Sequence, residues 1–308
     1  MASVFDVSII QNYAVKNINK IIGLILLGLK AADDITVYQN IKEETGLTKL
    51  KAGDLGQPYR LAFEPKANAL SFGYRKLNPK MGKVDLEYDA LAFYNTWLVM
   101  LTQPGVNAND LPYEKFFWEQ IALKIASEIN QQSVYAGLHN PAGTTTTSIV
   151  DGLGKIFADE IVSGEITNVV ATGAINNTNA VSKFETMCKA LSPALRDMAM
   201  NLYVPYAKYD AYCENYRSTY GALPYNNKYE RLSVDGFSNV KIVPASWMNN
   251  VGRVILTPKE NIVMATDALS DFNKIDTVKQ IRVLQCAIHF TLCYNFADAE
   301  ALYINDQA

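Results

Sequence analysis

The residues best suited to chemistry in this sequence gather in one stretch, NPAGTTTTSIVDGLGK, at positions 140–155. It combines glycines, a run of four threonines and a terminal Gly154-Lys155 pair. These are the parts of a loop that holds phosphate in backbone N–H groups at a helix N-terminus. Such a loop requires GxxxxGK[ST] between a strand and a helix. Here Ser148 stands where the second glycine belongs, and Lys155 is followed by Ile156 rather than by a hydroxyl residue. The preceding segment has a helical pattern, not that of a strand. Order, spacing and context all argue against nucleotide binding. The same residues read as a helix stop at Gly137 and Pro141, a threonine connector, and a second helix capped by Thr147 or Ser148 with Asp151 at its N-terminus.

No other set of groups converges. His139 and His289 are the two histidines; the first sits at a helix end as a polar cap and the second within an apolar alternation as a core residue. Cys188, Cys213, Cys286 and Cys293 form no CxxC pair, so the pattern implies scattered thiols and no metal site. Asp33-Asp34 and Glu43-Glu44 are adjacent pairs whose side chains diverge, which suits solvated surface better than a dyad. GxSxG, HExxH and GxGxxG are absent. Nothing points to a catalytic, cofactor-binding or metal site.

The elements that carry these residues are more informative. With 308 residues, 49% apolar and 19% charged, the chain can bury a sizeable core in one or two domains. A net charge of −3 without a basic cluster argues against gripping nucleic acid. Eighteen tyrosines, which pack a ring while keeping a wet hydroxyl, hint at interfaces. The apolar run IIGLILLGL at 21–29 is too short to span a bilayer, which needs about 20 residues. It belongs to a helix over 14–32 that lies against this subunit or a neighbour.

Residues 36–56 are polar and read as irregular. Apolar side chains then recur with period two at Tyr59, Leu61 and Phe63, at Leu70, Phe72 and Tyr74, and, beyond the turn signal at 78–82, at Val84, Leu86 and Tyr88. Period two on both sides of a turn predicts a β-hairpin over 57–90 with one apolar face. Arms of about 12 residues at ~3.3 Å each reach roughly 40 Å. A globule of this length has a radius of gyration near ~19 Å. A protruding ribbon of that size needs a partner surface, since two strands are marginal alone.

A long helix over 113–136 follows, with Phe117, Ile121, Ile125 and Ile129 as an i, i+4 stripe. A second helix begins near 149. Helices at 178–192 and 207–221 alternate with strands at 167–173, 201–206, 253–258 and 261–267, and a Val-Asp-Gly-Phe turn joins a hairpin around 231–248. The C-terminal alternation from Gln280 reads as paired strands. The class is α+β, without regular βαβ alternation.

This order of elements, with FFWEQIALKIASEINQQSVYAGL, SIVDGLGKIF and VDGFSNVKIVP as its local landmarks, resembles the major capsid proteins of tailed bacteriophages, the Hong Kong 97-type fold, over about residues 30–305. The resemblance implies an N-terminal arm (1–56) and an extended loop (57–90) lying over a neighbouring subunit. It further implies a peripheral domain with the spine helix (91–164), an axial domain (165–265) and terminal strands returning to the peripheral domain (266–308). The implied function is a viral structural protein, not an enzyme. It would self-assemble into the hexamers and pentamers of an icosahedral capsid enclosing double-stranded DNA without binding it tightly. Portal and separate scaffolding or decoration proteins would be its other partners, and no membrane. The virion would be its location, after assembly in the host cytoplasm. A bacterial nanocompartment shell of the encapsulin type shares the fold and is the alternative. An uncharacterised α+β enzyme is the second alternative. Lys66, Lys76, Lys80 and Lys83 lie in or near the loop, but no motif supports the Lys–Asn cross-linking found in part of the family. Deleting 62–87 is expected to leave folded subunits that fail to assemble.

Overall fold

In a computed structural model, the structure describes residues 13, 16–17, 21, 25, 28–41, 43–52, 56–61, 64, 66, 70–89, 113–221, 233–249, 251–267, 275–279 and 283–307. Within that range the chain is α+β, built on a five-stranded sheet, a six-stranded sheet and a two-stranded ribbon, with two main hydrophobic cores.

Of the first apolar helix, residues 16–17, 21, 25 and 28 are helical, the chain leaves the helix at Leu29, and Ile21 and Leu29 are buried. The helix packs on this subunit: a Cβ placed on Gly28 would lie 3.1 Å from that of Ala126, so the two backbones cross closely. A short helix α1 (Ala31–Asp34) leads into strand β1 (Thr36–Gln39) and then β2 (Thr45–Ala52). The polar segment 36–56 is therefore not irregular. Its strands escaped notice because β1 is a short edge strand and β2 is an exposed ribbon strand with little apolar periodicity.

Strands β3 (Leu70–Leu77) and β4 (Lys80–Asp89) lie on either side of the turn signal, as the period-two pattern implies. They do not pair with each other. β3 turns back onto β2 in eight registered pairs, from Thr45 opposite Leu77 to Ala52 opposite Leu70. β4 departs into the body and pairs with β12 (Val283–Phe296) over ten positions, from Lys80 opposite Leu292 to Asp89 opposite Val283. The hairpin expected over 57–90 is thus displaced to 45–77. Period two identifies a strand but says nothing of its partner.

The spine helix α2 (Tyr113–Glu128) continues through a π-helical turn at Ile129–Ser133, closed by Val134 N donating to Ile129 O at 3.2 Å. Phe117, Ile125 and Ile129 are buried as their spacing predicts, with Ile121 packed half-buried beside them. A second buried row, Trp118, Ala122 and Ala126, widens the stripe. Helix α3 (Leu153–Ser163) follows and contributes Phe157, whose ring lies 5.9 Å from Phe296 of β12.

The first sheet runs β1–β10–β12–β11, with β4 also on β12; β10 is Ile262–Thr266 and β11 is Ile275–Lys279. β1 is parallel to β10 and the other pairs are antiparallel. The C-terminal alternation is one continuous strand of 14 residues rather than a pair. Its Cys286, Ile288 and Leu292 join the spine-helix core.

The second sheet is six-stranded, in the order β5–β13–β9–β6–β8–β7. Its strands are β5 (Val169–Val170), β6 (Met200–Val204), β7 (Ser233–Val234), β8 (Phe237–Pro244), β9 (Ile255–Thr257) and β13 (Tyr303–Asn305). The Val-Asp-Gly-Phe hairpin is present as β7–β8, with Gly236 at φ 76° in the left-handed region that its turn requires. Helices α4 (Ala180–Lys189) and α6 (Tyr206–Tyr220) supply the second core, where Phe184 and Tyr212 stack 5.1 Å apart; a short helix α5 (Pro193–Arg196) lies between them. Because β13 joins this sheet, the C-terminal segment does not return wholly to the spine-helix side. The expected boundary at 265/266 cuts β10 and separates β13 from its sheet partners, while Leu302 and Ile304 pack with the spine-helix core.

Candidate functional site

In the stretch 140–155 the phosphate-loop question is settled by where its amides point. Gly152, not Thr147 or Ser148, precedes α3. The amides of Gly152, Leu153 and Gly154 donate to the carbonyls of Gly137, Val134 and Tyr135 at 2.9, 2.9 and 3.0 Å. The start of α3 thus abuts the end of the spine helix. The N–H groups that a phosphate would need are already used, and the opposed helix ends satisfy one another's orphan groups. Glycine is required because a Cβ on Gly152 would sit 2.5 Å from the Tyr135 carbonyl oxygen. Thr145 is hydrogen-bonded through its hydroxyl to Thr147 and Ser148, and residues 146–148 form a single 3₁₀ turn. His139 Nδ1 lies 2.7 Å from Ile149 O, while its backbone amide donates to Asp151. The side chains of His139 and Asp151 both fasten this loop.

His289 lies on β12 opposite Lys83, half-buried as part of the sheet. Among the described residues no group of three or more His, Cys, Asp or Glu side chains could hold a metal ion, and no helix is long and apolar enough to cross a membrane. The buried thiols are poorly placed for nucleophilic work, because desolvation pushes Cys188 and Cys286 up to about 12 and Cys293 up to about 11.

Among the described residues, the β2–β3 ribbon forms a two-stranded sheet of its own. Its root is fastened to the body from both strands. On β3, Arg75 pairs through Nη2 with Glu160 of α3 at 2.7 Å, and its guanidinium carbon lies 3.7 Å above the Phe296 ring. Burial pushes the Arg75 pKa down, while Glu160 and Glu165 oppose that shift. On β2, Lys49 pairs with Asp298. Asn295 donates to Lys76 O at 2.9 Å, and Leu77 is buried against Val263, Ala265 and Cys293. A polar cleft of about 680 Å³ opens between these ties, lined by Leu47, Arg75, Glu160, Glu165 and Asp298.

Eight registered pairs at ~3.3 Å each give the ribbon a length of roughly 26 Å, much of it along the tied root, and residues 56–61, 64 and 66 are the described part of the connection between its strands. In that connection Tyr59 is 89% exposed and Leu61 is 95% exposed. Lys66 donates to Gly56 O at 2.7 Å and Arg60 pairs with Glu64 at 3.2 Å.

The residues expected to form the inter-subunit face are therefore split. Tyr59 and Leu61 lie in the connection, and Tyr74 is exposed on β3. Leu70 and Phe72 are in β3, but their side chains, like that of Tyr88 in β4, lie outside the described residues, as does Phe63 altogether. Val84 and Leu86 are not on the ribbon: they are half-buried against the body's own core. Missing from the sequence reading were Arg75 and Lys49. Their signal was faint, since a single cation in an alternating strand looks like a solvated face.

No family model and no curated protein matches this sequence. Solved structures do. The chain is similar to a chain of the satellite phage P4 procapsid including size determination (Sid) protein, with TM-score 0.58 and 10% identity, covering 94% of this chain and 98% of that one. It is also similar to a chain of the capsid of an empty GTA particle, with TM-score 0.52 and 9% identity, covering 90% and 89%. At such identity the likeness is one of fold, and it spans nearly the whole chain: this is the fold of tailed-phage major capsid proteins.

Proposed function

We propose that this chain is a structural shell subunit, the major capsid protein of a tailed phage, which self-assembles into hexamers and pentamers of an icosahedral capsid around double-stranded DNA. One observation carries the reading. A capsid-like fold over nearly the whole chain bears a two-stranded ribbon that is a sheet of its own, and the segment joining its strands exposes Tyr59 and Leu61 to solvent. A ribbon of that kind gains stability by lying on another subunit, and many weak contacts of that type add up across a closed shell.

In this reading the ribbon at 45–77 is the extended loop. The spine helix, α3 and the β12 sheet form the peripheral domain, and the six-stranded sheet with α4 and α6 forms the axial domain. The net charge of −3 suits a shell that encloses DNA without gripping it. Location in the virion, assembly in host cytoplasm, and portal, scaffolding or decoration partners follow from the same reading. The role is structural rather than enzymatic. A nanocompartment shell is the second reading, favoured by the same fold; particles purified with DNA rather than with an enzyme cargo decide against it.

The deletion suited to testing this is not 62–87, because that would remove β4 positions paired along β12. Ala52 and Leu70 are directly opposite and can be joined by Asn-Gly in a two-residue turn. The intact chain is expected to give closed shells or rings by negative-stain microscopy. The shortened chain is expected to stay soluble and folded, with shell yield reduced at least about tenfold. A wild-type chain that remains monomeric at high concentration overturns the shell reading; shells undiminished by the deletion overturn the role of the ribbon.

A further inference from the structure

The spine helix widens where it is fastened to the start of the chain. At Ile129–Ser133 it takes a π turn, whose i→i+5 bonding is rare and holds one residue more than an α-helical turn. Ile129 and Asn130, neighbours in sequence, are both buried there. Asn130 uses both ends of its side-chain amide. Its Oδ1 accepts from the Ala31 backbone amide at 3.0 Å, and its Nδ2 donates to Ser246 Oγ at 2.9 Å, just beyond β8. Ala31 stands at the break between the first apolar helix and α1, where helical bonding is interrupted and a buried N–H needs a partner from elsewhere. The far end of α1 is also held, because the Tyr203 hydroxyl of β6 donates to Asp34 O. Ala31, Asp34 and Ile35 are all buried, so α1 is a bolt between the spine helix and the second sheet.

We propose that α1 and the π turn form a latch with two linked states. With α1 seated, Ala31 and Ser246 hold Asn130 inward and the spine helix in π register. With α1 withdrawn, Asn130 Oδ1 is a buried acceptor that has lost its donor, and the helix relieves this by returning to α-helical bonding. A one-residue change of register turns the residues beyond it by about 100° relative to those before, at 3.6 residues per turn. By linkage, whatever loosens α1 loosens the turn, and the reverse. The latch sets whether the N-terminal segment stays on its own spine helix, where Gly28 crosses Ala126, or is released from it. It belongs to the single subunit and holds whether or not shells form.

Dispersed full-length subunits report both halves of the latch. Trypsin reads α1, because Lys30 is exposed and the bond that follows it is shielded while Ala31 is seated; Lys189, exposed at the end of α4, is the reference site. Hydrogen exchange of a peptide spanning 129–134 reads the turn through the Val134 amide. Asn130→Leu is expected to raise cleavage after Lys30 at least about tenfold relative to cleavage after Lys189. Tyr203→Phe removes only a hydroxyl at the other end of α1. It is expected to raise the same ratio, and to speed exchange at 129–134 about tenfold while α4 is unchanged. Cleavage that rises in parallel at Lys30 and Lys189 is general destabilisation and overturns the latch, as does a ratio unchanged in both variants. Exchange at 129–134 that Tyr203→Phe leaves unmoved overturns the linkage between α1 and the turn.

Discussion

Replacing Gly152 by alanine tests how the spine helix is joined to α3. The new methyl would stand 2.5 Å from Tyr135 O and 2.6 Å from Gly137 N, both backbone atoms that no side-chain rotation can clear. Relief requires α3 to withdraw, which lengthens the hydrogen bonds from the amides of Gly152, Leu153 and Gly154. At about 1 kcal/mol net for each amide–carbonyl bond, the loss is about 3 kcal/mol. An unfolding entropy of roughly 2 cal/mol/K per residue, taken over 308 residues, converts this to a fall in Tm of about 5 °C. Scanning calorimetry or circular dichroism on dispersed subunits reads the shift. Gly56→Ala is the control, because nothing lies within 4 Å of its added Cβ. A Gly152→Ala subunit within ~1 °C of wild type would refute the butted-helix account.

The remaining predictions concern the ribbon root and alkaline stability. Glu160→Ala strands the Arg75 cation in a half-buried site and should cost about 1–2 kcal/mol, between the values for exposed and buried pairs. Arg75→Ala should cost a similar amount, and a urea-based double-mutant cycle should show the two effects sharing about 1 kcal/mol of coupling; simple additivity would mean the pair is idle. Burial raises the folded-state pKa of Cys188, Cys286 and Cys293 above that of an unfolded thiol, and those of Tyr212 and Tyr294 above an unfolded tyrosine. Above pH ~9 the unfolded chain therefore releases protons that the folded one retains, and stability falls as pH rises. Each thiol adds up to ~1.4 kcal/mol per pH unit until its folded pKa is reached. Urea midpoints under reducing conditions at pH 8, 9.5 and 10.5 should decline, and a flat profile would contradict the burial of these groups.

What could be read from the sequence depended on whether an element carries its own pattern. Helices α3, α4 and α6 and the β7–β8 hairpin were legible because apolar spacing, Gly221 at a helix end and Asp235-Gly236 in the turn are local signals. Pairing was not. Leu70 to Leu77 alternates as a strand should, yet nothing in that alternation says that Thr45–Ala52, and not Lys80–Asp89, is its neighbour. Asn78-Pro79 suggested a hairpin turn, but it marks the point where the chain leaves the ribbon for the body. The site was legible in kind at Tyr59 and Leu61. The ties at the ribbon root could not be read, because Arg75 meets Glu160 and Lys49 meets Asp298 across 85 and 249 residues of sequence.

The path from ribbon to body also has a mechanical meaning. A pull on β3 that its side-chain ties do not absorb passes through Asn78-Pro79 into β4, which runs antiparallel to β12 across ten facing positions. Force along that axis loads the ladder in shear, so its backbone hydrogen bonds resist together; a peeling force would break them one after another. Beyond β4, the same load spreads along β12 to β10 and β11 and into the spine-helix core. The 14-residue strand is thus a tie-beam, carrying strain from a neighbour's grip on the ribbon into the interior of the subunit.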